Sequence, residues 1–202
     1  RALLQGKGKT PDVLVMSATP IPRTLSMTVY GDLDFSVINE MPKNRIPIKT
    51  VLRGEKKLPE IYNFIIDKAK EGYQTFLVYP LVEDSEKLDL KAAITFYEDL
   101  KENHLKNLKL GLIHGRMNWQ EKEEVMLRFK DKLFDVLVST TVIEVGIDIP
   151  DANIILINDA HRFGLSQLHQ LRGRVGRSNK QAYCILITKD EIAAKQNTNE
   201  LE

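Results

Sequence analysis

Short apolar runs, rich in β-branched residues, punctuate the chain: Val13 to Met16, Thr75 to Tyr79, Lys109 to Ile113, Asp135 to Val138, Ile154 to Ile157 and Tyr183 to Ile187. Each has the length of a strand, and none alternates apolar with polar positions. Unbroken apolar runs of this length imply burial on both faces, as in a parallel sheet. Between them the period becomes helical. In Leu58 to Ala69, Ile61, Ile65 and Ala69 recur at every fourth position beside Tyr62 and Ile66, and Gly72 follows as a stop. In Leu88 to Leu100, the residues Leu90, Ala93, Ile94 and Tyr97 form one stripe. Asn118 followed by Glu121 predicts a capping box, with Val125, Met126 and Phe129 as the apolar face behind it. A last helix is expected over Ser166 to Leu171. Strands alternating with helices predict an α/β fold: a parallel sheet with helices on both faces and right-handed crossovers. Ligands then belong at the carboxyl ends of the strands.

Composition refines this picture. The chain has 202 residues, 43% hydrophobic and 28% charged, enough for a real core. Its 29 basic and 28 acidic side chains nearly cancel. Contacts to nucleic-acid phosphates would therefore have to come from a local cluster rather than from overall charge. The single cysteine, Cys184, excludes an internal disulfide and a cysteine-based metal site, and its apolar neighbours imply a buried thiol. The four histidines show no metal-ligand spacing, so no bound metal is expected. No run approaches the ~20 apolar residues of a membrane span, and no signal peptide is evident, so a cytoplasmic protein is expected. The chain opens at Arg1 and closes on Leu201-Glu202, and is read as a fragment of a longer protein. Residues 1–40 read as the trailing edge of a preceding domain with its connector, 41–190 as the main lobe, and 191–202 as a truncated tail.

The stretches that carry chemistry follow the strands. In Gln170-Leu171-Arg172-Gly173-Arg174-Val175-Gly176-Arg177, three arginines fall within six residues, punctuated by two glycines. A guanidinium keeps its charge and presents a planar fork that fits phosphate oxygens, and glycine permits close backbone approach. The alternative is a solvated basic loop. Ser139-Thr140-Thr141-Val142-Ile143-Glu144-Val145-Gly146-Ile147-Asp148 follows another strand; its hydroxyls either bind phosphate or simply cap a helix. His114-Gly115-Arg116 ends a further strand, with Arg116 a plausible phosphate contact. Tyr79 ends the Thr75 strand and reads equally as a stacking contact or as a core tyrosine. Ser17-Ala18-Thr19, followed by Pro20-Ile21-Pro22-Arg23, closes the first run.

Taken together these stretches resemble the motifs of superfamily 2 helicases. The octet resembles motif VI, Ser139 to Pro150 motif V, Val78-Tyr79-Pro80 motif IV and Ser17-Ala18-Thr19 motif III. Three longer stretches, Thr28 to Asp34, Tyr79 to Ala93 and Arg162 to Leu171, look like the RecG family in particular, and the similarity covers about residues 12 to 190. The resemblance implies the second, RecA-like motor lobe of a P-loop NTPase-like helicase, with residues 1–40 the end of the first lobe. It makes Arg174 and Arg177 arginine fingers toward the γ-phosphate of ATP and gives Gln170 a role in positioning nucleotide or water. Gly146, Asp148 and Gly173 fall to the nucleotide side, Asp148 touching a ribose or a finger arginine. Thr140, Thr141, His114, Gly115, Arg116 and Tyr79 fall to the nucleic acid, and Ser17, Ala18 and Thr19 to coupling between the two. The family uses ATP with Mg2+ to regress forks and migrate Holliday junctions, acting on branched DNA in bacteria, as monomers, beside a wedge domain.

The chain has no G-x-x-x-x-G-K-[ST] phosphate loop; Gly6-Lys7-Gly8-Lys9-Thr10 lacks the first glycine at the right spacing and reads as a basic surface loop. No D-E-x-[HQ] run supplies magnesium ligands. The chain is thus expected to hold half of an ATP site, with ATP and Mg2+ bound mainly by the first lobe, and to be inactive alone. Two other readings are a transcription–repair coupling translocase and an α/β module that binds nucleic acid or protein without hydrolysis. Paired finger arginines weigh against the second, because a pure binding module has no γ-phosphate to meet.

Overall fold

The computed structural model describes Ser36 and residues 46–80, 86–140 and 147–199, the side chains of 86–90 and 195–199 excepted. The Val13 strand, the Gly6 loop, Ser17, Ala18, Thr19, Thr141 and Gly146 lie outside the described residues. The chain divides into two compact units, Arg1–Asn39 and Glu40–Glu202, and all the strands and helices described belong to the second.

Six strands form one sheet: β1 (Lys49–Gly54), β2 (Gln74–Val78), β3 (Leu110–Ile113), β4 (Val136–Ser139), β5 (Ala152–Ile157) and β6 (Tyr183–Thr188), in the spatial order β1-β6-β5-β2-β4-β3. Every pairing is parallel, as the unbroken apolar runs imply. The helices are α1 (Leu58–Lys70), α2 (Glu86–Asp99), α3 (Trp119–Lys130), α4 (Leu165–Arg172) and α5 (Asp190–Asn199).

Alternation along the strands sorts the core into two layers. Phe76 and Val78 of β2, Leu137 of β4, Ile155 and Ile157 of β5 and Cys184 of β6 pack with Met126 and Phe129 of α3 and Leu171 of α4. Leu77, Val136, Val138, Ile154, Leu156, Ile185 and Ile187 face the other way, onto Ile61, Tyr62 and Ile65 of α1, with Phe96 and Tyr97 of α2 partly buried beside them. Each buried branched side chain contributes about 1.5–3 kcal/mol of transfer free energy, and β4 and β5 are buried throughout.

Local rules set the helix ends. Pro59 stands in the first turn of α1, where its missing N–H costs nothing. Gly72 follows with φ +80, a left-handed turn that favours glycine. The expected capping box of α3 is present: the Asn118 side chain accepts from Glu121 N at 2.9 Å, and Asn118 N donates to the Glu121 carboxylate at 2.7 Å.

Some expectations needed adjustment. Ile94 lies 38% exposed, outside the buried stripe of α2, whereas Ala93 and Leu100 are buried. The chain runs on past α2 through a wide turn, Leu100–His104, in which Leu105 N donates to Leu100 O five residues back. That turn sends both Leu100 and Leu105 into the core. Two elements, β1 and α5, were not expected. Strand β1 is a half-exposed edge carrying Lys49 and Arg53. Helix α5 lies against it, with Asp190 accepting from Lys56 N at 3.2 Å.

Candidate functional site at the carboxyl edge of the sheet

The parallel sheet brings the ends of β5, β2, β4 and β3 together at one edge, in that order. The ladder continues one residue past three of them. Asn158 N donates to Val78 O at 2.9 Å, Tyr79 N to Ser139 O at 2.8 Å, and Thr140 N to Ile113 O at 3.2 Å. Asn158, Tyr79, Thr140 and His114 therefore stand side by side. Thr140 is buried with its hydroxyl unpartnered, and the same holds for Nδ1 of His114. Burial lowers the pKa of His114, and nearby Lys122 and Arg116 push the same way against the opposing pull of Glu121, so the imidazole is neutral at neutral pH. Gly115 and Arg116 are exposed on the turn that leads into α3. Tyr79 is neither free nor fully core: it is half-buried and stacked on Phe96 of α2, ring centroids 4.6 Å apart. An open groove of about 610 Å³ beside this stack is lined by both rings, Lys91, Ala92, Thr95 and Asp99.

The arginine turn lies between α4 and β6. Leu171 and Val175 are fully buried in the layer shared with α3, and they anchor the turn from below. Gly176 has φ +77, and a Cβ there would lie 3.1 Å from Ile48 and 3.3 Å from Ala182, so both the conformation and the space call for glycine. Gly173 caps α4, its N–H on His169 O. Arg177 is held at two points: its Nη1 donates to Asp148 Oδ1 at 2.9 Å and its Nη2 to Gly173 O at 3.4 Å. Arg174 is partly exposed and Gln170 exposed. The structure thus brings Arg174, Arg177, Gly173, Gln170 and Asp148 to one turn. It gathers Tyr79, Thr140, His114, Gly115 and Arg116 along the strand ends. Asn158, which belongs to the second group by position, was not foreseen: an asparagine after an apolar strand reads as an ordinary turn residue, and only its burial marks it out. Among the described residues no group of three or more His, Cys, Asp or Glu side chains is placed to hold a metal ion. No described helix is long and apolar enough to cross a membrane.

A six-stranded parallel sheet with helices on both faces, arginines on one turn and hydroxyl and basic groups on neighbouring strand ends defines a RecA-like second motor lobe. Residues 56–179 match the helicase conserved C-terminal domain, and the chain belongs to that family. The ATP-dependent DNA helicase RecG of Thermotoga maritima is 52% identical over 190 residues, covering 94% of this chain and 24% of the relative. A solved structure of RecG bound to a three-way DNA junction aligns with a TM-score of 0.79 at 48% identity, over 96% of this chain and 25% of that one. Dbp5 of S. cerevisiae, solved with RNA and ADP BeF3, shares the fold alone, at 19% identity and a TM-score of 0.59 over 91% of this chain and 46% of that one. The chain spans about a quarter of the length of the RecG relatives it matches.

Proposed function

We propose that this lobe is the C-terminal half of an ATP-driven motor that remodels branched DNA, forks and Holliday junctions among them. The observation that carries the reading is the arginine turn. Arg177, tied to Asp148, and Arg174 beside it sit on a turn anchored by Leu171 and Val175, in a chain about half identical to RecG. Such a turn suits charge building up on a transferring phosphoryl group, where a finger is worth ~10³–10⁵ in rate, or roughly 4–7 kcal/mol of barrier.

In this reading Arg174 and Arg177 act across a cleft on the γ-phosphate, Gln170 positions nucleotide or the attacking water, and Gly146, Asp148 and Gly173 complete the nucleotide side. Thr140, Thr141, His114, Gly115, Arg116 and Tyr79 take the nucleic-acid backbone, and Ser17, Ala18 and Thr19 couple the two sites. Residues 1–40 close the first lobe, 41–190 form this one, and 191–202 are a truncated tail. ATP and Mg2+ are held mainly by the first lobe, so the lobe alone does not turn over ATP. The whole protein works as a monomer with a wedge domain, on DNA at the bacterial nucleoid.

The test is steady-state ATP hydrolysis by the longer protein on forked DNA, linear duplex and single-stranded RNA, with Arg174→Ala as control. Stimulation by forks and a loss of at least a hundredfold in the variant are expected. Equal stimulation by linear duplex would favour a coupling-type translocase instead, and an unaffected variant would remove the finger assignment.

A further inference from the structure

We infer that Asn153 and Ser178 form a clasp that positions Arg177: the Asn153 carboxamide ties the segment following Asp148 to the turn that carries Arg177, and so sets where the guanidinium stands. The inference rests on the proposed finger role of Arg177 and deepens it. Asn153 and Ser178 touch neither nucleotide nor DNA in this account; they are positioning residues.

The hydrogen bonds around Asn153 carry it. Asn153 is the second residue of β5, a strand otherwise made of alanine, isoleucine and leucine, and it is fully buried. A carboxamide in such a place is costly unless both of its ends are satisfied. Both are. Nδ2 donates to Pro150 O at 3.2 Å, and Oδ1 accepts from Ser178 Oγ at 3.0 Å. Pro150 lies two residues after Asp148, and Ser178 directly follows Arg177. One buried side chain therefore grips, from within, the two segments that meet outside in the Arg177–Asp148 pair.

The Ser178 hydroxyl both donates and accepts. Besides donating to Asn153, it accepts from Lys180 N at 3.3 Å, which closes the turn after Arg177. Lys180 carries the restraint outward: its Nζ donates to the carbonyls of Glu71 and Gly72, at 3.4 Å each, and lies 3.8 Å from Asp151 Oδ1. Gln181 Nε2 donates to Pro47 O at 2.8 Å.

Burial decides which of these links matters most. The Arg177–Asp148 and Lys180–Asp151 pairs are open to water, and such pairs hold long side chains weakly. The Ser178–Asn153 bond ends on a fully buried acceptor, so breaking it leaves Oδ1 without a partner in a low-dielectric setting. Asp148 and the Gly173 carbonyl orient the guanidinium, and the clasp fixes the backbone from which it extends. A shift of about 1 Å in a catalytic group is enough to slow a reaction ~10²-fold.

The test uses the full-length protein and fork-stimulated ATP hydrolysis, well below the melting temperature of every variant. In Ser178→Ala, kcat should fall at least about tenfold, while KM for ATP and Kd for forked DNA stay within about twofold of wild type, the pattern of a group needed only in the transition state. Ser178→Thr, which keeps the hydroxyl, should stay within about threefold of wild type, and Asn153→Ala should reproduce the loss seen in Ser178→Ala. On an Arg177→Ala background, with the slow rates followed by radiolabelled ATP, Ser178→Ala should cause no further loss, because the group it positions is gone. A merely structural role would lower kcat by the same factor on both backgrounds, and that result would overturn the inference. So would a Ser178→Ala variant with kcat within about twofold of wild type while Arg177→Ala is at least about a hundredfold slower; the finger role would then stand without the clasp. If Asn153→Ala does not fold, Ser178→Ala and Ser178→Thr decide. An Arg177→Ala variant as active as wild type would overturn the finger role and this inference with it.

Discussion

Arg177 and Asp148, 29 residues apart in sequence, meet through a single 2.9 Å hydrogen bond between Nη1 and Oδ1. Their side chains are 37% and 59% exposed, so the pair adds little to folding, at most about 1 kcal/mol. Its effect is geometric: the carboxylate and the Gly173 carbonyl fix the guanidinium plane on the turn. Asp148→Ala should leave the melting temperature of the lobe nearly unchanged. On the proposed finger role of Arg177, it should slow ATP hydrolysis by the longer protein by up to about a hundredfold, the cost of misplacing the guanidinium. Arg177→Ala should cost ~10³-fold or more, and Arg177→Lys should not restore it, since an ammonium lacks the fork. Calorimetry beside steady-state kinetics separates the two effects, and a large loss of stability in Asp148→Ala would contradict the positioning role.

Gly111 of the edge strand β3 supports the ring of Phe134. A Cβ at this position would fall 2.7 Å from Cδ2 and 3.0 Å from Cε2 of that ring. Arg128 also lies over the Phe134 ring, 4.9 Å from its centroid, which limits its retreat. Gly111→Ala should therefore destabilise the lobe by about 1–3 kcal/mol through overpacking. The double variant Gly111→Ala with Phe134→Leu should recover part of the loss. Urea denaturation of the single and double variants measures both, and an additive pair would show that the ring is not the obstacle.

The interior strands were legible because burial on both faces leaves an unbroken apolar run, and the fold follows from those runs alternating with helical stripes. Strand β1 escaped for the opposite reason: as an edge strand it keeps Lys49 and Arg53, and its burial is mixed. Helix α5 has a mostly polar sequence and, among its described side chains, one buried alanine, Ala193, so periodicity gives it no stripe. At the site, the octet announced itself because three arginines and two glycines are a rare combination. Spacing alone could not name the partner of Arg177; the family resemblance offered a ribose or a finger arginine for Asp148, and the fold brings Asp148 beside Arg177. Asn158 was invisible for a related reason: the lack of a hydrogen-bond partner for its buried Oδ1 is a property of the packing rather than of the residue type.

Removal of Asn118 tests the turn that presents Arg116. The capping box fixes the start of α3 four residues after His114, and Met117 N closes the turn on His114 O at 3.2 Å. Asn118→Ala should cost about 1 kcal/mol of stability. It should also weaken DNA binding by the whole protein modestly, by loosening the Arg116 turn. Asn118→Ser, which can still cap, should retain most of both. Thermal melts and anisotropy titrations of the two variants supply the comparison, and equal behaviour of Ala and Ser would remove the cap from the account.

His114 gives a pH-dependent readout of the same edge. Burial holds its pKa below the ordinary histidine value of 6.5. A group whose folded pKa lies below its unfolded value binds more protons when unfolded, so its contribution to stability is complete above pH 6.5 and declines as the pH falls through that value. His114→Asn should flatten this part of the stability curve between pH 7 and 5. Imidazole proton resonances should show His114 titrating below 6.5, and a midpoint above that value would contradict its desolvated position.

Cys184 offers the cleanest measurement on the core because the chain has only one thiol. It is 1% exposed, the second residue of β6, and burial pushes its pKa up to about 11. The thiolate is the reactive form, so at pH 8 the folded lobe should react with a disulfide reagent only as fast as it opens, whereas in denaturant one equivalent should react at once. The sign of the pH effect follows from the same shift. Between about pH 9 and 11 the unfolded thiol has lost its proton while the folded one keeps it, so the unfolded state binds fewer protons and stability falls as pH rises. The loss from this group is on the order of 2 kcal/mol across that window, and Tyr62, raised to about 12 by burial, adds a similar penalty at still higher pH. Cys184→Ala should remove the thiol's share of the alkaline decline, at the cost of a small cavity beside Val175 and Ala182 in the same layer. Rapid labelling of the folded chain at pH 8 would mean that β6 opens far more readily than its buried position implies.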